Sequence, residues 1–560
     1  MPNKPFLVRQ MQDSATVFRS GWTLLRSRGP SQIQFWFIAL LVGVVSGVAA
    51  LLFRKGIDAV QTVLYGTEDV TRLNSFASTL PWYWIVLVPV LGGLVVGQIL
   101  HRFTPDMRVR SVADVIEGAA LNEGRVEKGA GTASALASLI TLGSGGSSGR
   151  EGPVVHMAAV IATWVSNRIH ANGITGRDLL GCAVAAAVSA SFNAPIAGAL
   201  FALEVVLRHF AVHAFAPIVV ASAAGTVINR LEFGDVTEFS LPNFNALAFY
   251  VELPAFLILG LVCGLIAVVL MWAIFWADDA ANRAQARLKV HGALRPGLAG
   301  LLLGLMALVF PQIIGVGYET TSLALTGNLG LGEAVAIAVA KVAAVAITMG
   351  GRMGGGVFSP SLMTGALTGL AFGYVATGLA PDLSGSPTLY ALAGMGAVAA
   401  AVLGAPVSTT LIVFELTGDW QTGLAVMVAV STSTALASRL VDRSFFLTQL
   451  ERRNVHLARG PQAYLLSMFR VANVMRPPED PRAAPDDAMW EAIEAGDYVE
   501  GNATLEAAMP IFEDTQRNFL PVVRMNEKGA PPEILGALFH VDALRAYNRA
   551  LAATAAEEHS

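Results

Sequence analysis

Charge is what this chain of 560 residues lacks: only 14% of it is Asp, Glu, Lys or Arg, against 54% hydrophobic residues. A soluble globular protein carries about a quarter charged residues. The shortfall excludes a water-facing surface over most of the chain and points to lipid, and the mean hydropathy of +0.57 agrees. Cysteine is nearly absent. Cys182 and Cys263 each sit in an apolar run, which excludes a disulfide framework and reads as buried thiols. The first 30 residues hold no apolar core long enough for a cleavable signal. The net charge of -4 says nothing about partners, and no feature points to nucleic acid. No nucleophile–base pair, metal-ligand cluster or cofactor motif stands out, so neither an enzyme, a metal nor a cofactor is expected. His156 has no second ligand at helical spacing and reads as a packed core histidine.

What is present is a long series of apolar segments. They fall near 35–53, 82–100, 128–142, 154–168, 178–191, 194–207, 212–228, 250–276 and 294–310, then 332–349, 358–380, 388–403, 405–416 and 421–440. A bilayer core needs about 20 helical residues, and many of these segments are shorter. They stand back to back, separated by Gly, Pro or Asn. Broken helices at membrane depth persist only where the broken backbone is buried in protein or lines a cavity, which is the pattern of a channel or transporter. The rival is a large bundle of soluble helices, and it lacks a polar outer face. Trp82, Tyr83 and Trp84 open a segment and read as an interfacial belt.

The chain repeats itself. Pro195 precedes Glu204 by nine residues, and Pro406 precedes Glu415 by nine. Each proline suits a first helical turn, where no N–H is needed. Upstream of each lies a Gly-rich break. The first reads Gly143-Ser-Gly-Gly-Ser-Ser-Gly-Arg-Glu-Gly-Pro153 and the second Met349-Gly-Gly-Arg-Met-Gly-Gly-Gly-Val-Phe-Ser-Pro360. Glycines let backbone N–H groups face a ligand, and a helix beginning there offers unpaired donors and a positive dipole end to an anion. A phosphate-binding P-loop would need Gly-Lys-Ser/Thr, where this chain has Gly149, Arg150 and Glu151. Val357 and Phe358 contribute backbone N–H rather than side-chain charge, and such donors hold an anion weakly enough to release it. Matched broken helices in two halves predict an inverted repeat with its site at the interface.

Gly149-Arg-Glu-Gly-Pro153, Gly356-Val-Phe-Ser-Pro360, Phe192-Asn-Ala-Pro195 and Ala405-Pro406 with Glu415-Leu-Thr-Gly-Asp419 together resemble the CLC family of chloride channels and proton/chloride antiporters, over about residues 33–453. The resemblance implies a homodimer with one anion path per subunit and chloride as the permeant ligand. It implies that Glu151 is a gate whose carboxylate competes for the anion site; the rival reading pairs Glu151 with Arg150. It implies an anion site drawn from Gly149, Arg150, Gly152, Gly356, Val357 and Phe358. The family's serine loop matches Val109-Arg-Ser-Val-Ala-Asp-Val-Ile-Glu117 in either of two registers, one placing Arg110 and the other Ser111 at the central position. The tyrosine that gives its hydroxyl to the central ion corresponds to Phe446, which has none. The internal glutamate of the antiporters corresponds to Val205, which cannot relay a proton, as in the channel members. Glu204 and Glu415, with Pro195 and Pro406, read as structural. Lys341 either raises the potential near the path, or snorkels or pairs with an acid.

The tail differs. Arg476–Asp487 is rich in Pro and Asp and reads as a linker, Ala503–Phe512 as a helix, Phe519–Arg524 and Ile534–Phe539 as strands, and Val541–Tyr547 as a closing helix. With Val474 and Met475 ahead, this resembles a CBS module. Its length suits one module, while nucleotide binding usually needs a pair, so a dimerising or cytoplasmic packing domain is the alternative to a nucleotide site. The expectation is therefore an all-α polytopic membrane protein, two inverted repeats of short, tilted and broken helices, with a small α/β CBS-like domain. The boundaries are a cytoplasmic segment at 1–32, repeats at 33–235 and 236–453, a linker at 454–487 and the CBS-like domain at 488–560. Lys4, Arg9, Arg19, Arg26 and Arg28 against Asp13 put the N-terminus, and with it the tail, in the cytoplasm of a cell-membrane protein. The function expected is a Glu151-gated chloride channel, with a proton-coupled chloride, halide or nitrate antiporter as the alternative.

Overall fold

The structure, a computed structural model, describes residues 31–558 other than 68, 70, 71, 211, 235–238, 240–250, 382, 383, 385, 456, 458–465, 467, 468, 502 and 526–531. The basic N-terminal residues Lys4, Arg9, Arg19, Arg26 and Arg28, and most of the boundary expected between the repeats near 235, lie outside the described residues.

In the first half α1 (Gln32–Tyr65), α2 (Leu73–Ala77), α3 (Trp82–Phe103), α4 (Val112–Leu121) and α5 (Lys128–Gly143) lead to the first Gly-rich break. After it come α6 (Glu151–Ile169), α7 (Gly173–Phe192), α8 (Pro195–Phe201) with a π turn (Ala202–Leu207), and α9 (Val212–Phe233). In the second half α10 (Leu253–Leu288), α11 (Arg295–Ala307), α12 (Tyr318–Leu325) and α13 (Leu331–Gly350) precede the second break. It is followed by α14 (Phe358–Leu379), α15 (Pro387–Leu403), α16 (Pro406–Thr417), α17 (Trp420–Leu440) and α18 (Phe445–Glu451).

Seven helices among the described residues are long and apolar enough to cross a membrane. Others are too short. The 17 residues of α15 rise only about 25 Å, against a hydrocarbon core of about 30 Å. Lipid-facing positions carry the apolar surplus: Leu41 and Leu52 on α1 and Trp272 and Trp276 on α10 are all more than half exposed. The broken backbone is buried instead, as polar main chain in lipid must be. The fold is thus the expected polytopic bundle of two inverted repeats.

Small residues set the seam that fixes α14. Gly365, Gly369 and Gly373 recur every four residues along it. A Cβ on each would lie 2.3 Å from the Gly394 carbonyl oxygen, 2.1 Å from that of Tyr390 and 2.8 Å from Pro387 Cα. Helices meet this closely in membranes through small residues, since lipid gives no hydrophobic drive for association. The seam holds the start of α14 in place.

The tail contains α19 (Asp486–Glu494), β1 (Val499–Glu500), α20 (Leu505–Thr515), β2 (Phe519–Arg524), β3 (Glu533–Phe539) and α21 (His540–Glu558). The sheet order is β1-β2-β3. β1 runs parallel to β2 with Val499 opposite Val522, and β2 antiparallel to β3 with Phe519 opposite Phe539. Val471, Val499, Leu505, Phe512, Leu520, Val522 and Leu538 form its core. This small α/β unit fits the CBS-like expectation. The expected linker needs correction in its later part. Arg476 exchanges both backbone hydrogen bonds with Ala537 (2.9 and 3.0 Å), so residue 476 extends the sheet, and 486–494 is helical. Pro and Asp there cap and start elements rather than interrupt them.

The tail also touches the membrane domain beside α4. Glu506 on α20 pairs with Arg208 at 3.6 Å, just past the π turn. Arg470, ahead of the tail domain, pairs with Glu123 just past α4, and within the membrane domain Arg453 meets Asp114 on α4 at 2.7 Å.

Candidate functional site

The two Gly-rich breaks, whose Gly149 and Gly356 stand 207 residues apart in sequence, are joined directly. The Gly149 N–H donates to the Gly356 carbonyl and the Gly356 N–H to that of Gly149, both at 2.7 Å. The Ser148 hydroxyl donates to the Gly354 carbonyl at 3.0 Å, and the Ser147 N–H to Thr348 Oγ1 at 3.1 Å. Beyond this junction α6 and α14 begin in the same way. Glu151, Gly152 and Pro153 open one, and Phe358, Ser359 and Pro360 open the other. Proline stands third in each, where its missing N–H costs nothing, and the N–H groups of the first turn have no acceptor inside the helix. Two positive helix ends therefore converge on one buried spot.

The junction tolerates no side chain at Gly355. Its φ is +124°, and a Cβ there would lie 2.0 Å from Ser148 Oγ and 2.4 Å from Ser148 Cβ. Backbone strain and a clash with the break itself act together. Gly355→Ala is expected to cost at least about 3 kcal/mol and to remove folded protein from membranes. Size-exclusion chromatography of a fluorescent fusion checks this, and a normal monodisperse peak would contradict it.

Glu151 lies on the junction, buried. Its Oε1 accepts from the Ser359 hydroxyl at 2.5 Å and from the Tyr318 hydroxyl at 3.2 Å. Its Oε2 is enclosed without a hydrogen-bond partner. A Cβ on Gly149 would sit 2.6 Å from that oxygen and 3.1 Å from Ser359 N. The carboxylate of one half thus rests at the helix start of the other. On one side of it is a narrow cleft lined by Ser111, Gly152, Val357, Phe358, Phe446 and Gln449, among others. The cleft encloses about 10 Å³, room for about one water-sized body. On the other side, beyond Tyr318, a vestibule of about 790 Å³ is lined by Arg54, Arg72 and Arg150 together with Asp58 and Glu319. The Ser111 end is the one nearer the tail, because α4, of which Ser111 is the N-cap residue, packs against α20 of the tail.

The other expected residues fall into place around this line. Of the two registers in the 109–117 loop, the structure adopts the one with Ser111 in the cleft. Arg110 is a correction. Its guanidinium is held by Asp106 at 2.7 Å and Glu127 at 2.8 Å, away from the cleft. Burial works against ionisation of Asp106, but hydrogen bonds from Arg110 and Arg108 outweigh it and hold the carboxyl at about 2. This clamp therefore contributes above the ordinary carboxylate range and is lost only as pH falls towards that value. Gly149 and Gly356 are corrections of a milder kind, since their N–H groups are spent on each other. Arg150 lies 5.0 Å over the Tyr318 ring and donates to the Ser191 carbonyl at 3.1 Å, in the vestibule rather than the cleft.

Val205 is buried in the π turn and does not line the cleft. Glu204 and Glu415 make reciprocal contacts between the halves. Glu204 accepts from the N–H groups of Val407 (2.9 Å) and Ser408 (2.8 Å), beside Pro406. Glu415 accepts from those of Ile196 (2.9 Å) and Ala197 (2.8 Å), beside Pro195. Lys341 does not snorkel, and it meets no acid among the described residues. It is fully buried and donates to the carbonyls of Ile313, Gly315 and Val316 at 3.1–3.5 Å. Buried His156 places Nδ1 3.3 Å from the Ser111 carbonyl.

Sequence reasoning missed Tyr318, Ser359 and Gln449. Ser359 stood inside a quoted motif. Gln449 sits in a segment with no glycine break or buried charge to mark it, whereas Tyr318 follows Gly315-Val-Gly317, a break shorter than the two quoted above.

Two helix starts converging on a buried carboxylate, within a bundle too apolar for water, define a polytopic membrane protein with broken helices meeting at its centre. The family model described as voltage gated chloride channel matches residues 92–438, and the chain belongs to that family, the CLC family. A protein described as a ClcB-like chloride channel from Ralstonia nicotianae is 32% identical over 430 residues, covering 76% of this chain and 99% of that one. Among solved structures, a slow cyanobacterial Cl⁻/H⁺ antiporter superposes with a TM-score of 0.66 at 21% identity, covering 75% of this chain and 97% of that one. A eukaryotic CLC transporter gives 0.65 at 18% identity, covering 93% of this chain and 98% of its own. At such identities the likeness concerns the fold.

Proposed function

We propose that the chain is a chloride-selective channel in which Glu151 is the gate. The observation that carries this reading is the position of the Glu151 carboxylate, lying at the start of α14 between vestibule and cleft, where a free anion would otherwise be favoured. Ionised, it acts as a tethered anion on the converging helix ends. Neutralised or displaced by chloride, it leaves the N–H groups of Gly152, Val357 and Phe358 and the hydroxyl of Ser111 to receive the ion. These donors carry no full charge, so the ion is held briefly and released. Arginines in the vestibule, with Lys341 behind the junction, raise the local anion concentration.

Passive conduction is preferred to exchange because the position expected to relay protons is Val205, a buried aliphatic side chain. The channel works as a homodimer with one path in each subunit. In support, Ile196 and Val407, at adjoining helix starts, are about half exposed and apolar. Both termini are cytoplasmic, with the tail packing on the α4 side.

Reconstitution in liposomes under crossed chloride and pH gradients tests the reading. A channel reverses at the chloride potential and moves no protons uphill. Uphill proton movement driven by chloride would replace it with the antiporter alternative.

A further inference from the structure

Phe446 leaves the inner cleft without the hydroxyl that a tyrosine would bring. Three residues further along α18, on the same helical face, Gln449 lines that cleft too. Its Oε1 is enclosed and has no hydrogen-bond partner. Across the cleft, Ser111 Oγ is likewise enclosed and unpartnered. More than nine in ten buried polar groups find a partner, so two orphans on one small cleft point to a ligand that satisfies both. The remaining wall is largely apolar, including Val112, Val155, Val188 and Met349. An apolar pocket with a few convergent polar groups is the usual form of a binding site.

We propose that Gln449 is an anion ligand of the inner cleft, donating its amide N–H to a small monovalent anion in place of the hydroxyl that Phe446 lacks. A side-chain amide carries an acceptor oxygen and two N–H donors on one plane. Rotation by half a turn about its last torsion exchanges them, so the group that now buries its oxygen can present its NH₂ to an entering ion. Ser111 needs only to rotate its O–H. Both donors are neutral, which suits an ion that must leave again. An amide held by one flexible side chain also adapts to anions of different shape, so it sets selectivity between spherical chloride and planar nitrate. The inference rests on reading the cleft as the anion path.

The test uses the full chain in liposomes and measures efflux against chloride concentration on the tail side, and again with nitrate. Gln449→Met keeps the length and removes the donor. It is expected to raise the half-saturating chloride concentration roughly tenfold, the worth of one hydrogen bond to a charged group, while leaving saturating flux nearly unchanged and shifting the chloride-to-nitrate ratio. Gln449→Asn, a shorter amide, is expected to recover part of the affinity. Unchanged affinity and ratio in Gln449→Met overturn the proposal. Should that variant fail to fold, Gln449→Glu decides, since a carboxylate facing the anion is expected to weaken binding by more than tenfold at neutral pH and wild-type affinity would overturn the proposal. Glu151→Gln is run in parallel to separate the two ideas. Anion flux that responds to Glu151→Gln but not to Gln449→Met removes only the glutamine ligand. Absence of chloride flux in the wild type overturns both.

Discussion

Glu151→Gln is expected to raise chloride flux at neutral pH by at least roughly tenfold and to abolish most of its pH dependence. The reason is competition. A group tethered beside its site acts at an effective concentration in the millimolar range or above, comparable with the chloride it must exclude. The Glu151 carboxylate has two hydroxyl donors, at 2.5 and 3.2 Å, and lies against a positive helix end. Glutamine keeps the shape, so Ser359 and Tyr318 can still donate to its carbonyl, but it carries no charge for the helix end to hold. On the proposed reading, a side chain without charge leaves the site to the anion at every pH. Chloride efflux from liposomes between pH 4.5 and 7.5 measures it. Equal flux and an equal pH slope in the two proteins would mean that this carboxylate does not obstruct the path.

The sequence made the helix starts legible because each needs residues that little else explains. Glycine before the start, proline inside the first turn and an acid between apolar segments have few other uses in a membrane protein. The paired Pro–Glu spacing was legible for a related reason, since the same constraint was written twice. The Arg110/Ser111 ambiguity was not resolvable from pattern, because both residues are polar and adjacent. Packing decides it: Arg110 finds Asp106 and Glu127, leaving Ser111 at the first position before α4 to line the cleft. Gln449 was invisible for want of any local signature, and Tyr318 had only the short Gly315-Val-Gly317 break before it. Each acquires its meaning from chain more than a hundred residues away. In the tail the strands were readable from their apolar runs, whereas Arg476 joins the sheet only through pairing with Ala537, which no local pattern announces.

Loss of the exchanged acids is expected to weaken the union of the two halves, Glu204→Ala more than Glu415→Ala. Each carboxylate covers two N–H groups in the first turn of a helix from the opposite repeat, donors that have no partner within their own helix. Glu204 additionally accepts from the Ser408 hydroxyl at 2.5 Å. Hydrogen bonds to a charged group contribute about 1.5–3 kcal/mol each, and N-terminal placement adds a favourable helix dipole. About 2–4 kcal/mol for Glu204→Ala is the expected total, with about half for Glu415→Ala. Glutamine at either position should recover part of the loss, because its carbonyl still accepts one N–H. Thermal unfolding in detergent, followed by intrinsic fluorescence, reads the order: wild type, then Glu415→Ala, then Glu204→Ala. A functional relay would behave differently, altering proton or chloride flux with unfolding unchanged, and that outcome would move both residues from structure to mechanism. The reciprocal geometry favours structure. A proton carrier needs an acid free to change partners, whereas here both oxygens of each carboxylate are already occupied by main-chain donors that cannot turn away without unwinding a helix.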